Sequence, residues 1–223
     1  MLKKLTEEKL SEVLEAGIRE FADKGFNDAS MSSIAKRAGI SVGVLYKYYE
    51  NKDDFFNACI RRCISELDHF LHELCEQEMK PLQYAQALIS SVQQFSRQHK
   101  DYTRLYLEVT RTADSQRAAL FAREIEGMSS RLYTEIVARA QEEGNIRRDL
   151  DPRLFAFFMD NLLMMMQFSY CCPYYQERFK LYGGENALED STLVPSQLLK
   201  FLESAFTLEQ ADIPHTQKTE APK

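Results

Sequence analysis

The chain has 223 residues, of which 44% are hydrophobic and 28% charged, ordinary proportions for a globular protein with material for one large or two modest domains. Eight glycines and six prolines are too few for the many turns of a β fold, so the predicted class is all-α. The net charge of −6 speaks against a nucleic-acid partner only until it is divided: residues 1–62 hold 11 Lys+Arg against 10 Asp+Glu, or +1, which leaves 17 against 24, or −7, for the rest.

In chain order, Met1–Glu20 carries charges throughout, which excludes the apolar run of a secretory leader. Leu10, Val13, Leu14, Gly17, Ile18 and Phe21 form one stripe of a 3.6-residue period, predicting a first helix from about Thr6 to Lys24 that Gly25 ends. Ser30 is placed to cap a second helix, Met31–Ala38, with Met31, Ile34, Ala35 and Ala38 inward. Gly39 closes that helix, Ile40 returns to the core, and Ser41 caps a third helix reaching about Tyr48. Asn51 caps a fourth, with Asp54 three residues on as in a capping box. Longer segments follow at about Phe55–Glu78, Leu82–His99, Tyr102–Thr110, Gln116–Glu143, Pro152–Tyr182 and Leu193–Leu208. Gly144–Asp151 and Gly183–Thr192 read as loops, and Glu209–Lys223 as a disordered tail.

Two short helices joined by a glycine turn have the form of a helix-turn-helix. Ala35 and Ala38 are small enough for a close crossing, Gly39 permits positive φ, and Ile40 and Leu45 pin the pair onto the first helix. Ser41 satisfies free N–H groups where a helix would enter the major groove.

The stretch from Met31 through Ala-Gly-Ile-Ser-Val-Gly-Val-Leu-Tyr-Lys-Tyr-Tyr to Phe55, with Ile18, Phe21, Gly25 and Phe26 before it, resembles the N-terminal DNA-binding domain of the tetracycline-repressor-like (TetR) family. Gly144-Asn-Ile-Arg-Arg-Asp-Leu-Asp-Pro152 resembles that family's loop into its penultimate long helix. The resemblance implies an N-terminal three-helix domain (1–52), a larger helical ligand-binding and dimerisation domain (53–208) and a tail (209–223). It places Ser30 and Ser32 at the backbone or a base edge, Val42 and Gly43 at the exposed start of the recognition helix, and Tyr46, Lys47, Tyr48 and Lys52 at phosphates. Val44 departs from the family's usual small hydroxyl residue, which removes one phosphate hydrogen bond. Val42 cannot hydrogen-bond a base, although it can pack on a thymine methyl. Tyr49, in phase with Leu45, reads as core.

The implied function is a DNA-binding transcriptional regulator, a repressor that grips a palindromic operator as a homodimer and is released by a small apolar effector. Phe95, Tyr102, Tyr106, Met128, Phe158, Met159, Leu162 and Met165 are the expected cavity walls, with Arg104 or Arg131 available to a carboxylate head. Leu198, Leu199, Leu202 and Phe206 are the expected dimer stripe. A regulator without a small-molecule effector stays open. A helical enzyme is the weaker alternative, because no phosphate loop, ordered nucleophile or metal box is present.

Five cysteines read as reduced thiols of a cytoplasmic protein, with a redox-sensing role left open for the adjacent Cys171 and Cys172. His69, His72 and Cys75 drift off a common helix face, so no metal and no cofactor is expected. The most apolar stretch, Leu154 to Tyr170, is broken by Asp160, Asn161 and Gln167 and is read as falling short of a membrane span.

Overall fold

The computed structural model describes residues 4–75, 79–111 and 115–207, the side chains of 71–75, 128 and 207 excluded. Among these residues every regular element is an α-helix: α1 Glu7–Asp28, α2 Met31–Arg37, α3 Val42–Leu45, α4 Lys52–Cys75, α5 Pro81–Gln98, α6 Lys100–Val109, α7 Ser115–Glu142, α8 Pro152–Cys171, α9 Pro173–Gly183 and α10 Leu193–Thr207. The expected tail and the side chains of His72, Cys75 and Met128 lie outside the described residues.

The caps expected from sequence are present. Thr6 accepts from the Lys9 N–H, Ser30 from the Ser33 N–H at 3.1 Å and Ser41 from the Val44 N–H at 3.3 Å. Asn51 accepts from the Asp54 N–H at 2.8 Å, while the Asp54 carboxylate reaches back to the Glu50 N–H at 3.1 Å, one residue earlier than a standard capping box. Gly25 has φ 74°, yet α1 resumes beyond it for a further turn to Asp28. The third helix is shorter than expected: after Leu45 the bonds tighten to i→i+3, from Lys47 N–H to Val44 O and from Tyr48 N–H to Leu45 O.

One long helix expected over Pro152–Tyr182 is two. Pro173 lacks an N–H and its ring crowds the residue before it, so Cys172 leaves helical geometry at φ −105°, ψ 120° and separates α8 from α9. By length and a mean hydropathy of 1.2, α8 would suffice to cross a membrane, against the expectation from sequence. Half of it is buried in this chain, where Phe155, Met159, Leu163 and Met166 pack with α5, α7 and α10, so internal packing accounts for its apolar face.

One core joins Val13, Ile18 and Phe21 of α1 to Ile34, Leu45, Phe55 and Phe56, and continues into Phe95, Tyr102, Leu105 and Phe121 of α5, α6 and α7. Phe56 meets Phe21 edge-on at 4.9 Å between centroids, and Tyr49 meets Phe55 at 4.7 Å, which makes Tyr49 the core aromatic its phase implied. Glu20 is fully buried and ties α1 to α2 through Lys24 at 2.7 Å and Arg37 at 3.5 Å. Burial alone would raise its pKa, but the bonds from Lys24 and Ser33 and the charge of Arg37 bring it below the ordinary carboxylate value. A second core gathers Leu88, Ile89, Tyr133, Val137, Leu202 and Phe206 from α5, α7 and α10.

Gly17 sets the approach of α1 to α4. A Cβ there would overlap the Phe55 ring and stand 2.8 Å from Cys59 Sγ. Gly17→Ala should therefore destabilise the chain by about 2 kcal/mol through overpacking, read as a lower denaturation midpoint with an unchanged slope.

Candidate functional site

The helix pair α2–α3 presents Ser30, Ser32, Ser41, Val42, Gly43, Tyr46 and Lys47 to solvent, with Tyr46 half exposed at 50%. A Cβ on Gly43 would meet nothing within 4 Å, so packing within this chain does not require glycine there. Two of the expected phosphate contacts already have work inside the chain. The Tyr48 hydroxyl accepts from the Leu5 N–H at 2.6 Å and pins the segment leading into α1. The Lys52 ammonium donates to Asn27 O at 3.1 Å and Ala29 O at 3.2 Å, and stands 4.6 Å from the centre of the Phe26 ring. Lys52 thus holds the α1–α2 connection, which leaves at most one of its three N–H donors for a phosphate.

Behind this head lies a cavity of about 350 Å³ walled by α4, α5, α6, α7 and α8. Ile60, Cys63, Ile64 and Leu67 come from α4, Leu88 and Phe95 from α5, Tyr102, Thr103 and Tyr106 from α6, Ile125 and Leu132 from α7, and Met164 from α8. The polar groups are few. Tyr106 donates to Glu126 at 2.5 Å, Asp68 stands in the wall, and Glu126 is shared with a more open groove that also holds Asp160. Desolvation, helped by the Glu126 charge, pushes Asp160 up to about 6, and desolvation also raises Asp68.

The cavity wall is bonded directly to α1. The Tyr102 hydroxyl donates to the Glu15 carboxylate, which also takes Arg62 of α4 at 3.5 Å. Burial and this bond together push the Tyr102 hydroxyl well above the ordinary phenol value. Farther along α6, Glu108 accepts the Phe26 N–H at 3.0 Å beside the left-handed Gly25, and Arg104 pairs with Asp23 at 3.0 Å. From α7, Arg117 pairs with Asp53 at 2.6 Å and lies over the Phe26 ring.

Three of the eight expected wall residues, Phe95, Tyr102 and Tyr106, line this cavity. Met159 is buried in the second core instead, and Leu162 and Met165 line a separate groove among α8, α9 and α10. Phe158 points outward at 61% exposure. Arg104 is occupied by Asp23 and Asp101, and Arg131 lines the more open groove. The expected dimer stripe also faces inward: Leu202 and Phe206 are buried against Phe155 and α5, with Leu198 and Leu199 packed beside them. The outward apolar residues include Leu154, Phe157 and Phe158 of α8 and Phe201 of α10, besides Leu120, Tyr174, Leu181, Tyr182 and Leu193 elsewhere on the body. The wall residues sequence reasoning missed include the whole α4 contribution, whose apolar stripe gives no sign of whether it meets a side chain or a void, and Leu88, Ile125, Glu126, Leu132 and Met164 of α5, α7 and α8.

Cys171 and Cys172 are buried with their sulfurs 3.7 Å apart, and the shared hydrogen bond together with burial raises Cys171. Burial also raises Cys59 and Cys63 far above the range of a reactive thiol. Among the described residues no group of three or more His, Cys, Asp or Glu is placed to hold a metal ion.

A capped helix pair on a third helix, joined to a helical body that encloses an apolar cavity, defines a helix-turn-helix transcriptional regulator. Residues 13–59 match the family described as bacterial regulatory proteins, tetR family. The HTH-type transcriptional repressor KstR2 of Mycobacterium tuberculosis is 23% identical over 148 residues, which cover 66% of this chain and 74% of that protein. The transcriptional regulator FadR from Bacillus subtilis, solved in complex with stearoyl-CoA, has the same fold with a TM-score of 0.70 at 17% identity, covering 88% of this chain and 99% of its own. AibR, solved with isovaleryl coenzyme A and operator DNA, gives a TM-score of 0.66 at 17% identity and covers 89% and 97% respectively. Residues 13–59 are thus a TetR-type DNA-binding domain, and the chain as a whole has the fold of the solved TetR-like regulators.

A raised carboxyl destabilises the fold where it is ionised, because the unfolded chain releases that proton at lower pH. With Asp160 at about 6 against an ordinary value of 3.8, its penalty is absent below pH 3.8 and complete above about pH 7. Asp160→Asn should leave stability unchanged near pH 3.5 and raise it at pH 7.5 by on the order of 2 kcal/mol, measured by denaturant unfolding at the two pH values.

Proposed function

We propose that this regulator is a repressor that binds a palindromic operator as a homodimer and is released when a small, largely apolar molecule fills the cavity. The observation that carries this reading is that α4 and α6, which wall the cavity, are also the helices that grip α1 and the helix-turn-helix head. A molecule wedged among Ile64, Tyr102 and Tyr106 must push on that grip. Relatives solved with acyl-CoA molecules support an apolar body for the effector, and a repressor relative supports the sign of regulation. The work is cytoplasmic.

In this reading Ser32 and Val42 meet base edges. Gly43 lets the backbone approach the duplex, Tyr46 and Lys47 meet phosphates, and Tyr48 and Lys52 position the head. Ser30 and Ser41 serve mainly as caps beside the backbone. The dimer face is the outward stripe Leu154, Phe157 and Phe158 with Phe201, at i, i+3 and i+4 along α8. Two such faces related by a two-fold axis make a four-helix interface and space two recognition helices along one side of the duplex.

Phe157→Asp should turn the dimer into a monomer in sedimentation at micromolar concentration and lower affinity for the selected operator at least roughly hundredfold, since each head then binds alone. A monomeric wild type, or a dimeric variant with unchanged operator affinity, contradicts the assignment. Lys47→Ala should weaken binding to every duplex alike and reduce the slope of log K against log salt by about 0.9. Val42 substitutions should instead change which sequences a random duplex pool yields.

A further inference from the structure

The cavity wall has one sign of charge. Asp68 and Glu126 stand in it, Asp160 lies behind Glu126 in the adjoining groove, and none of the described lining residues is Lys, Arg or His. Among the described residues, the cations near the wall have partners of their own. Arg62 is held by Glu15 and by Glu66 at 2.7 Å, and His99 stacks on Phe95 at 4.6 Å between centroids without entering the lining. Arg153 of the adjoining groove is held by Asp151 at 2.7 Å, and Arg131 there donates to Gly127 O at 3.0 Å. Desolvation raises Asp68, and desolvation with the Glu126 charge raises Asp160.

A further feature of the same wall concerns what it would hold: Tyr84, Phe95, Tyr102, Tyr106 and Tyr133 line the space, and aromatic rings are partners that a desolvated cation prefers.

We propose that the effector is a lipophilic cation, an amine or quaternary ammonium on an apolar body, whose charge is met by the Asp68 and Glu126 carboxylates inside the aromatic wall. This rests on the effector reading above and adds the charge class of the molecule. A cation entering an apolar cavity loses its hydration, and these carboxylates and rings replace it. An anion of the same shape loses its hydration as well, finds no cation among the described wall residues and meets like charge. The acyl-CoA molecules of the two solved relatives are anionic, so this wall is built for a different head group.

The test is calorimetric titration of the full chain with three probes of one chain length, decyltrimethylammonium, decanol and decyl sulfate, each below its micelle-forming concentration. The ammonium is expected to bind at least about tenfold tighter than decanol, a difference of about 1.4 kcal/mol, with the sulfate weakest. Asp68→Asn and Glu126→Gln should each reduce ammonium affinity severalfold while decanol binding, which reports an intact cavity, stays unchanged. Equal binding of all three probes, or tighter binding of the sulfate, overturns the charge class and leaves the apolar-effector reading standing. Ammonium affinity unmoved by both substitutions overturns the assignment of the two carboxylates. Failure of every probe to bind overturns the effector reading together with this one.

Discussion

The grip of α6 on α1 is the contact on which the rest of the structure depends. Gly25 leaves the helical path, and the N–H that follows it turns to the Glu108 carboxylate instead of to a carbonyl of its own helix. Half a molecule's worth of consequences follows from that turn: Phe26 swings into reach of Phe21, Phe56 and the cations of Lys52 and Arg117. A hydrogen bond to a charged acceptor contributes roughly 1.5–3 kcal/mol, so losing it would loosen the head without unfolding the body. Tyr102 to Glu15 is the second bond of the same grip, three turns back along α1.

The grip gives the cavity its leverage. Tyr102 is at once a wall residue and a donor to α1, and α4 supplies both the apolar wall from Ile60 to Leu67 and the Phe55–Phe56 packing beneath the head. Filling the space therefore acts on two helices that hold α1 from different sides. A packed interface of this kind yields by discrete shifts of whole helices more readily than by gradual deformation, which in the proposed function is the route from a cavity ligand to the head.

Much of the head was legible in the sequence, because caps and turns are local chemistry. Ser30, Ser41, Asn51 and Gly39 each act through neighbours within four residues, and each has the role its type implied. The body was less legible, for long-range reasons. An apolar stripe at helical spacing announces burial but not the partner, so Leu202 and Phe206 look the same whether they meet α5 or a second chain. Phe157 and Phe158 stand out as exposed only once Phe155 and Met159 are known to face inward. The break at Pro173 was available from residue type alone and was hidden by the strong apolar run before it. Asp68 and Glu126 were invisible as wall residues, since a carboxylate on an amphipathic helix ordinarily marks the solvated face.

Coupling through the grip must be reciprocal, because binding free energies around a closed cycle sum to zero. The most direct measurement is the affinity of one cavity ligand for the free protein and for the protein on its selected operator. If the cavity controls the head, operator DNA weakens the ligand by the same factor by which the ligand weakens DNA, about 1.4 kcal/mol for each tenfold change. Equal ligand affinity in the two states would contradict the account.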